Sequence, residues 1–89
     1  MKHVTFYSTS FCPTCKFLKP KVQEAYPDTE FVLLDDDPEL AELLNIQSVP
    51  TIIFWKVLGV LEGSEEITRL SGGVTIQQFK ETLTKVGIH

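Results

Sequence analysis

No stretch of the sequence approaches the roughly 20 consecutive apolar residues needed to cross a bilayer, so a membrane-spanning helix is not expected. Basic residues are scarce as well: 8 Lys and Arg stand against 12 Asp and Glu in 89 residues, a formal charge of −4 spread along the chain. That leaves no basic face to track a phosphate backbone, and nucleic acid is not expected as a partner. Histidine is limited to His3 and His89, and cysteine to Cys12 and Cys15. A structural zinc usually takes four Cys or His ligands, so it would need all of these, two of them from near the termini. No metal or other cofactor is expected. The opening residues, Met1 to Phe6, lack the longer apolar segment and small-residue cleavage site of a signal peptide. The expected compartment is therefore the cytoplasm, where thiols stay reduced and a permanent structural disulfide is disfavoured. Repeats, linkers and low-complexity tracts are missing, and 43% apolar content suits one domain spanning residues 1–89.

What is present reads as alternating strands and helices. His3 to Tyr7 is a short strand and Ser8 to Phe11 the loop after it. A helix follows, with Leu18, Val22, Ala25 and Tyr26 at helical spacing, ending before Pro27-Asp28. Pro20 is expected to kink this helix rather than end it, because the apolar pattern continues beyond. Phe31 to Leu34 is a continuous apolar run, which suits a strand covered on both faces in the middle of a sheet. Asp37 can cap a short helix with Pro38 at its first position and Leu40, Leu43 and Leu44 facing the core, ending near Asn45. Thr51 to Leu61 and Glu66 to Leu70 read as a hairpin turning at Glu62-Gly63-Ser64-Glu65, with Gly59 a candidate bulge. Thr75 and Gln78 form a capping box ahead of Ile76, Phe79, Leu83 and Val86. The order β-α-β-α-β-β-α predicts a mixed sheet with helices on both faces.

The two cysteines lie together in Ser10-Phe11-Cys12-Pro13-Thr14-Cys15-Lys16, at the start of the first helix. As a structural staple, half a metal site, a pair of small buried apolar residues or a redox pair, they make different demands. With Cys12 at the N-cap and Pro13 at the first helical position, the Cys12 sulfur faces unpaired N–H groups and the positive end of the helix dipole. Both favour its thiolate. Cys15, one turn further in, should be more buried and more protonated, which suits a resolving thiol. The proline inside the pair, directly after a strand, argues against plain packing.

Four features together resemble the thioredoxin superfamily across nearly the whole chain: Cys12-Pro13-Thr14-Cys15 between strand and helix, Pro20 eight residues after Cys12, Ser48-Val49-Pro50-Thr51 ahead of an apolar strand, and Gly72 before a terminal helix bearing Gln78, Phe79 and Leu83. The resemblance implies an α/β thioredoxin-like fold with a four-stranded mixed sheet, and a thiol-disulfide oxidoreductase that reduces protein disulfides. It implies a cis Pro50 lying against the cysteines, with the Val49 backbone pairing to an extended substrate. The docking surface would comprise Phe11, Pro13, Thr14, Val49, Pro50 and Gly72. Proline directly after the first cysteine is glutaredoxin-like, but Thr9 and Thr75 stand where glutaredoxins carry charged groups for glutathione, and Thr14 stands at a frequent tyrosine. Recycling by a thioredoxin reductase-type flavoprotein is therefore favoured over glutathione. The buried aspartate of thioredoxins is replaced by Phe6, which leaves the proton acceptor of Cys15 unassigned. The Trp55 to Leu70 hairpin is longer than the family's usual pattern. A monomer is expected. A binding module using the same fold with inactive cysteines is the competing class.

Trp55 is expected in the core or on a sheet face. Lys16 and Lys19 are candidates for raising the positive potential near Cys12. Asp35-Asp36-Asp37 is assigned to capping and turns rather than to a metal.

Overall fold

The computed structural model describes residues 1–88, so His89, weighed above as a metal ligand, lies outside the described residues. β1 (Lys2–Ser8) leads through the redox-type loop into α1 (Pro13–Ala25), which crosses over to β2 (Glu30–Leu33). A 3-10 turn at Leu34–Asp36 and the short α2 (Pro38–Leu43) follow, then β3 (Thr51–Gly59), β4 (Gly63–Ser71) and α3 (Ile76–Lys85). The sheet order is β2-β1-β3-β4, parallel between β1 and β2 and antiparallel elsewhere. This is the expected element order and mixed sheet.

Alternation along β1 divides its side chains between two cores. Val4 and Phe6 point to the face covered by α1 and α3, where they pack with Leu18, Val22, Ile52, Phe54, Phe79 and Leu83. The Phe54 and Phe79 rings meet at 5.9 Å between centroids, and Phe6 meets Phe31 at 5.5 Å. Tyr7 and Ile53 point to the opposite face, where Leu40 and Ala41 of α2 and Leu44 just after it cover them together with Leu34. Further along that face the Trp55 indole N–H donates to Thr5 Oγ1 at 3.2 Å, and the Thr5 hydroxyl donates to Glu30 at 3.4 Å. One polar chain thus joins three strands, with Trp55 on the sheet face as expected.

Helix ends follow the sequence closely. α1 continues through Pro20 to Ala25. Asp37 accepts from the Leu40 N–H at 3.2 Å and caps α2. Both halves of the Thr75–Gln78 capping box form, at 3.1 Å and 3.0 Å. Thr75→Ala is therefore expected to destabilise the protein by about 1 kcal/mol, read from urea unfolding, whereas Thr75→Ser should retain most of that. At its other end α2 closes through Asn45 in the left-handed region (φ 56°), with Ile46 N–H bonded to Ala41 and Asn45 N–H to Glu42. This paired closure has no proline or glycine to announce it.

Three expectations are corrected. β2 is an edge strand, not a central one: the crossover through α1 places it beside β1, whose other side is taken by β3. Phe31 and Val32 pack on opposite faces, but Leu33 is 45% exposed and Leu34 lies in the 3-10 turn, so only part of the apolar run is a covered strand. Leu43 does not face the core but is 81% exposed, because so short a helix turns only Leu40, Ala41 and the C-cap Leu44 inward. The hairpin turns earlier than expected, at Val60, Leu61 and Glu62, and β4 already begins at Gly63. The register shifts between Val57 and Gly59, as the Gly59 bulge required, and again between Phe54 and Trp55.

Candidate active site

β1 ends at Ser8, buried, and the chain turns outward so that Phe11 stands 90% exposed directly before Cys12. Cys12 is the N-cap of α1: its backbone is extended (φ −99°, ψ 103°) and Pro13, which has no N–H to leave unsatisfied, fills the first helical position. The Cys15 N–H donates to Cys12 Sγ at 3.1 Å, and the Lys16 N–H donates to the Cys12 carbonyl at 3.2 Å. Sulfur thus takes the place usually held by a hydroxyl or carboxylate oxygen. The two cysteines are joined in a disulfide, with their Cα atoms 5.2 Å apart. Cys12 keeps 9% of its surface and Cys15 only 2%. Pro13 and Thr14 between them are exposed.

The Val49-Pro50 peptide is cis, as the resemblance implied, with Pro50 buried and Val49 half-buried. Val49 packs against the apolar cluster that contains both cysteines, and Val74 belongs to that cluster. Gly72 takes φ +78°, and its carbonyl accepts from the Val74 N–H at 2.8 Å, which tightens the loop leading to α3. Among the described residues, the Val49 backbone N–H and C=O have no backbone partner. Thr9, Ser48 and Val49 border a cleft of about 290 Å³ whose floor is Leu34, Ala41 and Ile46. The structure therefore gathers Cys12, Cys15 and Val49 around one end of the sheet, with Phe11, Pro13 and Thr14 on its rim. Phe11 itself is not a member of that cluster.

The surrounding electrostatics are sparse. Among the described residues no carboxylate or lysine is buried, and Phe6 belongs to the same apolar core cluster as Cys15. Lys19 lies over the Phe31 ring at 5.1 Å and Lys21 over Phe17 at 4.0 Å. Lys19 is thus drawn toward the β2 edge. On the sheet face that α2 covers, burial raises the pKa of the Tyr7 hydroxyl above its ordinary value. Arg69 grips Glu66 with two bonds of 2.6 Å and lowers its carboxyl below the ordinary range. The same guanidinium reaches the Asn45 carbonyl at 3.5 Å, just ahead of the cis-proline loop.

One pair went unrecognised in the sequence. Asp35 accepts from both the backbone N–H of Ser10, at 3.1 Å, and the Ser10 hydroxyl, and these bonds hold its carboxyl below the ordinary value. The partners are 25 residues apart, so no local pattern signals them. Asp37 does cap, as expected, and no cluster of three metal-ligating side chains occurs among the described residues.

Comparison with known proteins places this geometry. Thioredoxin-2 of Saccharomyces cerevisiae is 35% identical over 74 residues, covering 78% of this chain and 64% of that one. Mitochondrial thioredoxin-3 of the same yeast is 32% identical over 79 residues, covering 80% and 61%. The chain thus spans less than two thirds of the length of either relative. Among solved structures, thioredoxin 1 of Thermosipho africanus superposes with a TM-score of 0.75 at 22% identity, over 94% of this chain and 92% of that one. Oxidised thioredoxin 3 of the yeast mitochondrion gives 0.72 at 22% identity, over 94% and 77%. These likenesses establish the thioredoxin-like fold. The thioredoxin family model matches residues 2–85, from the first residue of β1 to the last of α3, and the chain belongs to the thioredoxin family.

Proposed function

We propose that this chain, acting as a single domain, is a protein-disulfide reductase in which Cys12 is the nucleophile and Cys15 the resolving thiol. The observation that carries the reading is the N-cap sulfur: Cys12 Sγ receives the Cys15 N–H at 3.1 Å, at the positive end of α1. In the reduced protein these same donors favour the thiolate, whereas a free cysteine has a pKa of about 8.5. An extended substrate lies along the unpaired Val49 backbone, with Phe11, Pro13, Thr14, Pro50 and Gly72 around it. The Cys12 thiolate attacks one substrate sulfur, breaking the substrate disulfide and forming a mixed disulfide. The departing sulfur leaves as a thiolate and takes a proton. Cys15 then loses its proton and attacks Cys12 Sγ, releasing the second substrate thiolate and forming the Cys12–Cys15 bridge. With an apolar Phe6 in the core cluster of the two cysteines and no buried carboxylate among the described residues, water entering at the exposed side accepts that proton.

Two electrons from an NADPH-dependent flavoprotein of the thioredoxin reductase type reopen the bridge. Glutathione is disfavoured because the Thr75 side chain is already committed to capping α3. The expected setting is a cytoplasmic monomer acting on disulfide-containing proteins, with no membrane or nucleic-acid partner. No helix among the described residues is long and apolar enough to cross a membrane. The test follows NADPH oxidation with insulin disulfides as substrate, comparing thioredoxin reductase with glutathione plus glutathione reductase. Turnover with the flavoprotein alone is expected, and turnover with glutathione alone overturns the recycling step. An absence of turnover with both, together with a Cys12 thiol inert to alkylation at neutral pH, overturns the reductase reading in favour of a binding module.

A further inference from the structure

The segment that enters the site from β1, Thr9 to Phe11, is exposed apart from the half-buried Thr9, and its tip carries a bare aromatic ring. Such a loop is free to reorient unless something ties it to the body of the fold. Among the described residues, hydrogen bonds tie it in two places. The Cys12 N–H reaches the Thr9 carbonyl at 3.4 Å, a bond within the loop itself. The other reaches outside: both Ser10 donors, N–H and hydroxyl, converge on the two oxygens of Asp35.

Asp35 is well placed to act as an anchor. Its neighbour Leu34 is buried in the core beneath α2, the Asp37 N–H closes the 3-10 turn onto the Leu34 carbonyl at 3.1 Å, and Asp37 caps the helix that follows. The carboxylate is thus presented from a fixed turn to a loop whose Thr9 to Phe11 make no other hydrogen bond outside the loop among the described residues. A carboxylate gripping a backbone amide is also stronger than a neutral contact. Cys12 has its own attachments through Cys15 and Lys16, so releasing Ser10 frees the ring of Phe11 more than it disturbs the sulfur.

We propose that Asp35, acting through Ser10, is a positioning residue that sets Phe11 for docking of protein substrates while leaving the chemistry of Cys12 alone. The inference rests on the reductase reading above. Asp35 touches neither substrate nor sulfur in this role. Its effect should therefore appear in binding of large substrates, whose surface meets Phe11, and not in attack on a small disulfide that reaches Cys12 directly.

The experiment measures kcat and KM with insulin and with the small aromatic disulfide 5,5′-dithiobis(2-nitrobenzoic acid) for wild type, Asp35→Ala and Asp35→Asn, alongside hydrogen exchange of the Ser10 amide. Asp35→Ala is expected to raise KM for insulin roughly tenfold, the scale of a lost hydrogen bond to a charged group. Its kcat and its rate with the small disulfide should hold, while the Ser10 amide exchanges faster. Asp35→Asn keeps an oxygen for the Ser10 N–H and offers an amide to the hydroxyl, so it should recover most of the KM and of the protection. An unchanged insulin KM in Asp35→Ala, with wild type active, overturns this inference alone. Equal slowing on both disulfides, or an Asn variant as impaired as the Ala one, also overturns it, by assigning the effect to the charge. A wild type inactive on both disulfides overturns the reductase reading and this inference with it.

Discussion

Cys12→Ser is expected to lower turnover of protein disulfides by at least about a thousandfold, the scale seen when a covalent nucleophile is removed. The substitution isolates chemistry from folding, because serine is among the preferred N-cap residues and its hydroxyl can accept the Cys15 N–H in place of sulfur. Unfolding of the variant should therefore match that of the reduced wild type. Cys15→Ser should behave differently. Its Cys12 still attacks, but nothing resolves the product, so one substrate molecule accumulates per chain as a mixed disulfide visible on a non-reducing gel and released by dithiothreitol. Full turnover by Cys12→Ser would end the assignment of the nucleophile. A Cys15→Ser variant that cycled normally without trapping substrate would remove Cys15 from the mechanism.

Phe79→Ala should cost about 3–5 kcal/mol. The ring is fully buried, packs on Phe54 and is one of two buried anchors of α3, the other being Leu83. Domains of this kind hold only about 5–15 kcal/mol in all, so the loss removes a large share of the stability. In urea, where slopes for small proteins are about 1–3 kcal/mol per molar, the midpoint should fall by roughly 2 M. Leu43→Ala is the matched control: that side chain is 81% exposed, and its removal should change stability by no more than about 0.5 kcal/mol. Equal effects of the two substitutions would contradict the packing described here. Because Phe79 shares its cluster with Cys12 and Cys15, its loss should also raise exposure of the sulfurs to alkylation in the reduced protein.

Features written in neighbouring residues were legible in the sequence. The cap at Cys12, the helix running through Pro20, the Thr75–Gln78 box and the bulge near Gly59 each rest on residues a few positions apart, where backbone chemistry decides the outcome. Features set by the chain meeting itself at long range were not. The edge position of β2 depends on which side of β1 the hairpin occupies, and nothing within Phe31 to Leu34 carries that information. The outward turn of Leu43 depends on how little sheet a six-residue helix can cover. At the site the cysteines and the cis-proline loop were readable because each sits in a compact motif. The Ser10–Asp35 pair was not, since serine and aspartate in loops serve local turns so often that a bond across 25 residues leaves no trace.

The strand order leaves β2 and β4 with unpaired outer backbones, and an open strand is a template on which further molecules can stack. Neither offers a good one. β2 is four residues long, and β4 is broken at Ile67, where the shift in register between Phe54 and Trp55 leaves one residue without an opposite number. Glu65, Glu66 and Arg69 place charge along the same strand. Added twist and charge make a flat continuation of the sheet costly, so growth into fibrils through either side is opposed even in concentrated solution.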